Sequence, residues 1–112
     1  MQQLFQMKNI IGQAAELNSL LDYQDGSVVS KELIRKEQGT VSLFAFDQGQ
    51  GLSEHTAPFE ALVYIFAGQA EISIAGKQHC VKTGQAIIMP ANQPHSLKAI
   101  KPFKMLLVMI KA

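Results

Sequence analysis

The sequence predicts an all-β domain. Short apolar runs recur along it with period-2 alternation, as in Gln69–Ile74, where Ala70, Ile72 and Ile74 alternate with Glu71 and Ser73. Glycine and proline pairs separate those runs at short intervals, and hardly any stretch carries helical periodicity. A chain of 112 residues, 47% hydrophobic and 17% charged, suits one folded domain with one core. Many short strands with regular turns make a sandwich or a barrel, and a jelly roll is one way to hide the sheet edges.

Residues 1–26 are read as an N-terminal arm lying on the barrel or on a partner subunit, and 27–112 as the barrel. In the arm, Leu17, Leu20 and Leu21 have the spacing of one or two helical turns, and Asp25-Gly26 signals a turn. Ser27–Lys36 is rich in Val28, Val29 and Ile34 and reads as a strand, closed by the turn Glu37-Gln38-Gly39. Thr40–Phe46 sets Val41, Leu43 and Ala45 on one face and Ser42, Phe44 and Phe46 on the other. Both faces are largely apolar, which predicts a strand between the barrel interior and a second packed layer.

Leu52–Ala57 is extended, carries His55, and ends where Pro58 removes a ladder donor. Ala61–Phe66 is an apolar strand, with a turn expected at Ala67-Gly68 before Gln69–Ile74. Ala75-Gly76-Lys77 turns again into the short strand Gln78–Lys82, and Thr83-Gly84 ends it. Ala86–Met89 is a buried run stopped by Pro90. Ala91-Asn92-Gln93-Pro94 forms a tight corner, and asparagine tolerates the left-handed backbone such a corner needs. His95–Ile100 follows, Pro102 breaks it, and Phe103–Ile110 is an apolar closing strand.

Within this pattern the chain reads Gly49-x5-His55-x-Ala57-x3-Ala61-x6-Gly68, then fifteen residues, then Gly84-x5-Pro90-x-Asn92-x2-His95-x3-Ala99. The spacing resembles the two motifs of the cupin family over residues 40–110. The resemblance implies a double-stranded β-helix (jelly-roll) cupin barrel with the site at its mouth. In the family's first motif His, His and Glu would stand at positions 55, 57 and 61, and in the second Gly, His and Asn at 92, 95 and 99. Those positions would supply three histidines and a glutamate to a divalent metal. Here His55 and His95 remain, while Ala57 and Ala61 put methyl groups where two ligands belong.

Imidazole-carboxylate metal sites use three or four protein ligands in fixed geometry, so two histidines alone make a weak one. Glu60 is a candidate third ligand if a bulge near Pro58 turns it inward. The expected site is therefore a pocket lined by His55, Ala57, Ala61, Met89, His95 and Met105. It would take a small molecule without a complete metal site; no cofactor is expected. The alternative is a metal-dependent enzyme, an oxygenase, isomerase or decarboxylase of a small metabolite, with a divalent transition metal on His55 and His95.

The other residues read more plainly. His79 and Cys80 are neighbours on one strand and point to opposite faces, which predicts a surface histidine and a small buried cysteine. Lys98, Lys101, Lys104 and Lys111 read as solubilising and edge-protecting charges. A net charge of +1 without a basic run argues against nucleic acid. A nearly neutral chain with few charges favours a homodimer. One cysteine, no signal-like pattern in Met1–Lys8 and no apolar run of membrane length lead to an expected cytoplasmic protein with no membrane partner.

Overall fold

A computed structural model describes residues 9–112; the expectation for Met1–Lys8 lies outside them. Eight strands follow a short arm: β1 Val28–Lys36, β2 Gly39–Phe46, β3 Gly51–His55, β4 Phe59–Ile74, β5 Lys77–Lys82, β6 Ala86–Met89, β7 His95–Lys98 and β8 Phe103–Lys111. Every pairing is antiparallel. One side of the barrel runs β1-β2-β8-β4-β6, the other β5-β4-β7-β3.

β4 belongs to both sides and decides the shape. Its first half pairs with β8 and β6, and its second half with β5 and β7. The turn expected at Ala67-Gly68 is not a reversal: β4 runs straight through it for sixteen residues. A register shift between Ile65 and Ala67 and a positive φ of 81° at Gly68 bend the strand from one sheet into the other. A Cβ at Gly68 would run into the Pro102 carbonyl and the Phe103 backbone, so this crossing needs glycine. An Ala-Gly pair marks a break in straight strand, but only the partners on either side decide between a bend and a hairpin.

The interior is aliphatic and aromatic. Val63, Ile65, Ile72, Phe46, Phe103 and Met105 are essentially without solvent contact, and the Phe46 and Phe103 rings stack at 4.5 Å. A second apolar layer lies outside. Leu43 and Ala45 of β2, with Leu33 of β1, are buried against Leu21 and flanked by Ile10, Leu17 and Leu20 of the arm. This explains the two apolar faces of β2: Phe44 and Phe46 join the barrel core, and the opposite face meets the arm. Among the described residues of the arm the helical content is a single 3-10 turn, Leu17–Ser19.

Lys104 corrects the reading of the late lysines as surface charges. It is 5% exposed, and its Nζ donates to the Asn18 carbonyl at 2.9 Å and the Leu21 carbonyl at 2.8 Å. Its ammonium also lies 5.1 Å from the Tyr23 ring centre. Lys104 alternates with Phe103 and Met105 on β8, so it points away from the barrel core and under the arm.

Cys80 is another correction: it is exposed, and His79 is half-buried. Val81 is buried opposite Ala70, which places 79 and 81 on the inner face and 80 on the outer.

Candidate functional site

His55 ends β3 and His95 begins β7, and the register makes them direct cross-strand partners. Opposed residues on neighbouring strands share a face, so both rings turn into the same end of the barrel. Their Nε2 atoms are 3.1 Å apart, with the rings edge-on at 69° and centroids 4.3 Å apart. His95 is buried at 6% exposure, whereas His55 stands at the exposed mouth.

The corner that carries His95 is held from below. Asn92 adopts a positive φ of 64°, as its residue type allows, and its N–H donates to the Ala57 carbonyl at 2.8 Å. The Ala91 N–H donates to Glu60 Oε2 at 2.8 Å. In this structure the Glu60 carboxylate is engaged at the corner and not at the imidazole pair. Glu60 precedes inward-facing Ala61 on a regular stretch of β4, so alternation turns it outward, and its carboxylate fastens the 90–94 corner instead.

The hydrogen bonds of the two imidazoles fix their tautomers. His55 Nδ1 lies 2.7 Å from the Ser53 carbonyl, and His95 Nδ1 lies 3.1 Å from the Gln93 carbonyl. A carbonyl oxygen only accepts, so each Nδ1 carries the hydrogen. In neutral rings both hydrogens are then spent, and two Nε2 lone pairs face each other across 3.1 Å. The pair asks for one more hydrogen than it owns.

Burial pushes the His95 pKa below the ordinary value of 6.5; the Gln93 carbonyl opposes this, and a charge on His55 would add to it. The neutral form is thus favoured in the fold. Between pH 6.5 and the lower folded pKa the unfolded chain binds a proton that the fold refuses, so stability falls as pH drops through that window. Urea midpoints measured from pH 7.5 to 5 are expected to decline with acidification, and His95→Gln should flatten the part of that slope due to this residue.

Below the pair lies a cavity of about 50 Å³. His55, Ala57, Ala61, Met89, His95 and Met105 all line it, so the structure brings the six expected pocket residues around one space. Leu52, Phe59, Leu97 and Leu107 line it too and were not singled out from sequence. Period-2 counting could have found three of them: Leu97 is two residues from His95, Phe59 two from Ala61, and Leu107 two from Met105. Leu52 lies three residues from His55 across a register shift, so alternation alone would not have reached it. Ala57 and Ala61 leave methyl groups on the wall. Among the described residues no group of three or more His, Cys, Asp or Glu side chains is placed to hold a metal ion. The donor set does not fit the three- or four-ligand centre that the motif implies.

The model of the cupin domain family matches residues 42–110. The chain is a cupin. A conserved protein of unknown function from Streptococcus pyogenes is 34% identical, with a TM-score of 0.86 over 89% of this chain and 88% of that one. A cupin 2 conserved barrel domain protein from Leptotrichia buccalis is 38% identical, with a TM-score of 0.80 over 82% of this chain. This cupin spans 45% of that longer protein. A cupin superfamily protein from Desulfitobacterium hafniense is 26% identical, with a TM-score of 0.82 over 86% of this chain and 88% of that one. No curated protein matches. No helix among the described residues is long and apolar enough to cross a membrane.

Proposed function

We propose that this cupin binds a small, mostly apolar molecule in the barrel cavity, anchored by one hydrogen-bond donor that it offers to the His55–His95 pair. One observation carries the reading. Two Nε2 acceptors converge 3.1 Å apart at the head of an otherwise apolar cavity. A neutral O–H or N–H placed against them relieves the lone-pair repulsion. An acceptor-only group such as a carboxylate would worsen it. The volume limits size, because a water needs roughly 10–15 Å³ of such space, so the unexpanded cavity holds only a few atoms. Met89, Met105 and Met109 line it, and their flexible thioethers can reshape it around a larger ligand.

The metal-dependent enzyme reading has less support. The Nδ1 hydrogen bonds do aim both Nε2 atoms as metal-ligating histidines are aimed. Two such donors remain too few for the site.

The test compares phenol, toluene and benzoate on metal-free protein by calorimetry. Phenol is expected to bind about 3–10-fold more tightly than toluene, the worth of one hydrogen bond, and benzoate more weakly than both. In His55→Leu the phenol preference should vanish while toluene still binds. Equal binding of phenol and toluene to the parent protein would refute the donor anchor and leave the pocket. Failure of all three, or a stoichiometric metal that copurifies with untagged protein and is lost in His95→Ala, would overturn the pocket reading.

A further inference from the structure

We infer, on the footing of the barrel-pocket reading, that the ligand carries an aromatic ring and that Met89 and Met109 grip this ring from either side above Ala61. The register makes Ala61 the direct cross-strand partner of Met89 on β6 and of Met109 on β8. Opposed residues share a face, so the three side chains form one row on the inner wall, and all three line the cavity. Ala61 and Met89 are buried, and Met109 is partly buried.

The gap in this row is local. β4 turns Ala61, Val63 and Ile65 inward in succession. Val63 stands between Ile87 and Leu107, and neither Val63 nor Ile65 touches solvent, so branched side chains close those rows. At position 61 the wall carries one methyl group between two thioethers. The space over that methyl belongs to the cavity that His55 and His95 also line. A ring seated there shares one space with the acceptors that would hold its O–H or N–H.

Two magnitudes match the slot to a ring. Neighbouring strands lie ~4.8 Å apart, so the backbones at Met89 and Met109 stand about 9.6 Å from each other with Ala61 midway. A thioether contacts an aromatic ring favourably at ~5 Å, so a ring centred over Ala61 has a sulfur within that reach on each side. A saturated ring in the same place is buried equally but gains no sulfur contact. Room is the second matter. The space measures about 50 Å³, whereas a cavity that takes benzene measures ~150 Å³. The difference has to come from side chains that move. Methionine is unbranched and flexible, so Met89 and Met109 change rotamer without unpairing a strand. The slot opens for a ring and closes on it, and Ala61 sets how deep the ring enters.

Phenol and cyclohexanol test this on metal-free protein, because each carries one hydroxyl on a six-membered ring. Calorimetry should show phenol binding the more tightly. Met89→Leu/Met109→Leu keeps the apolar volume and removes both sulfurs. It should cut the phenol preference by about 3–10-fold and leave cyclohexanol affinity unchanged. The stronger acidity of the phenol hydroxyl is common to both proteins, so the change in preference isolates the sulfurs. Ala61→Val should weaken phenol by about tenfold or more, with an unshifted thermal transition showing that the variant folds. In methyl NMR spectra of the parent, the Met89 and Met109 signals should move with phenol, through its ring current, and stay in place with cyclohexanol.

A phenol preference that survives Met89→Leu/Met109→Leu overturns the aromatic slot and leaves the pocket. Met89 and Met109 signals indifferent to phenol do the same, as does phenol binding untouched in folded Ala61→Val. If phenol binds no better than toluene yet weakens in Met89→Leu/Met109→Leu, the donor anchor fails and the slot is upheld. Binding of neither phenol nor cyclohexanol overturns pocket and slot together.

Discussion

Lys104→Met should lower stability by about 3 kcal/mol and release the arm from the barrel. The ammonium makes two hydrogen bonds, 2.9 and 2.8 Å long, to the carbonyls of Asn18 and Leu21. Methionine fills a similar volume and removes both donors, so the change isolates the polar contribution from packing. A hydrogen bond to a charged group is worth ~1.5–3 kcal/mol, and a buried acceptor left without a partner costs ~1–3 kcal/mol. The loss is capped because the arm can lift and give its carbonyls to water. That escape exposes Leu21, Leu33, Leu43 and Ala45, which the arm now buries. Amide exchange should therefore accelerate first around residues 17–21, while the paired strands stay protected. Uniform acceleration through β4 and β8, or a change in midpoint below about 0.5 kcal/mol, the range of an ordinary surface substitution, would show that Lys104 does not hold the arm.

The second large effect is a gain. Ala57→His/Ala61→Glu is expected to turn a weak two-imidazole pair into a metal centre. Both alanines line the same cavity as His55 and His95. The double change would bring the donor set to three histidines and one carboxylate, enough for a complete site. Nickel or zinc affinity should rise by more than the roughly 10–100-fold that even a side chain hydrogen-bonded to a ligand is worth. The competing effect is volume, because a cavity of about 50 Å³ must admit an imidazole and a carboxylate. Apo stability should accordingly fall, and metal should restore it through mass action. Calorimetric titration of parent and variant decides it. An unchanged affinity in a folded variant would mean that positions 57 and 61 do not converge with the pair. A parent protein that already binds as tightly would mean that the missing ligands come from elsewhere.

The barrel was legible from residues 27 onward because turn chemistry is local. Gly84, Pro90 and Pro102 end strands wherever they stand, and Asn92 fits its left-handed corner in isolation. The error at Ala67-Gly68 has a different origin. Whether a kinked strand reverses or continues depends on what pairs with each half, and β8, which holds the first half, and β7, which holds the second beside the adjacent β5, come later in the sequence. Cys80 was misplaced by one residue of phase, since alternation fixes two faces but not which is inside. Buried Val81 supplies that anchor.

Lys104 shows the limit more sharply. Nothing adjacent to it in sequence hints that its partners lie on a segment more than eighty residues earlier. Glu60 shows the same limit within the site: its carboxylate is engaged by a corner thirty-one residues away.

By itself the sequence determined that this is an all-β chain of cupin spacing, with two imidazoles and two methyl groups where a full ligand set would stand. Those are properties of residue type and short-range period, and they survive without any knowledge of packing. The tertiary structure alone decided that the imidazoles meet at 3.1 Å, that their hydrogens are spent on Ser53 and Gln93, and that Glu60 is occupied elsewhere. Strand register set these relations, and register is fixed by partners that chain position does not name.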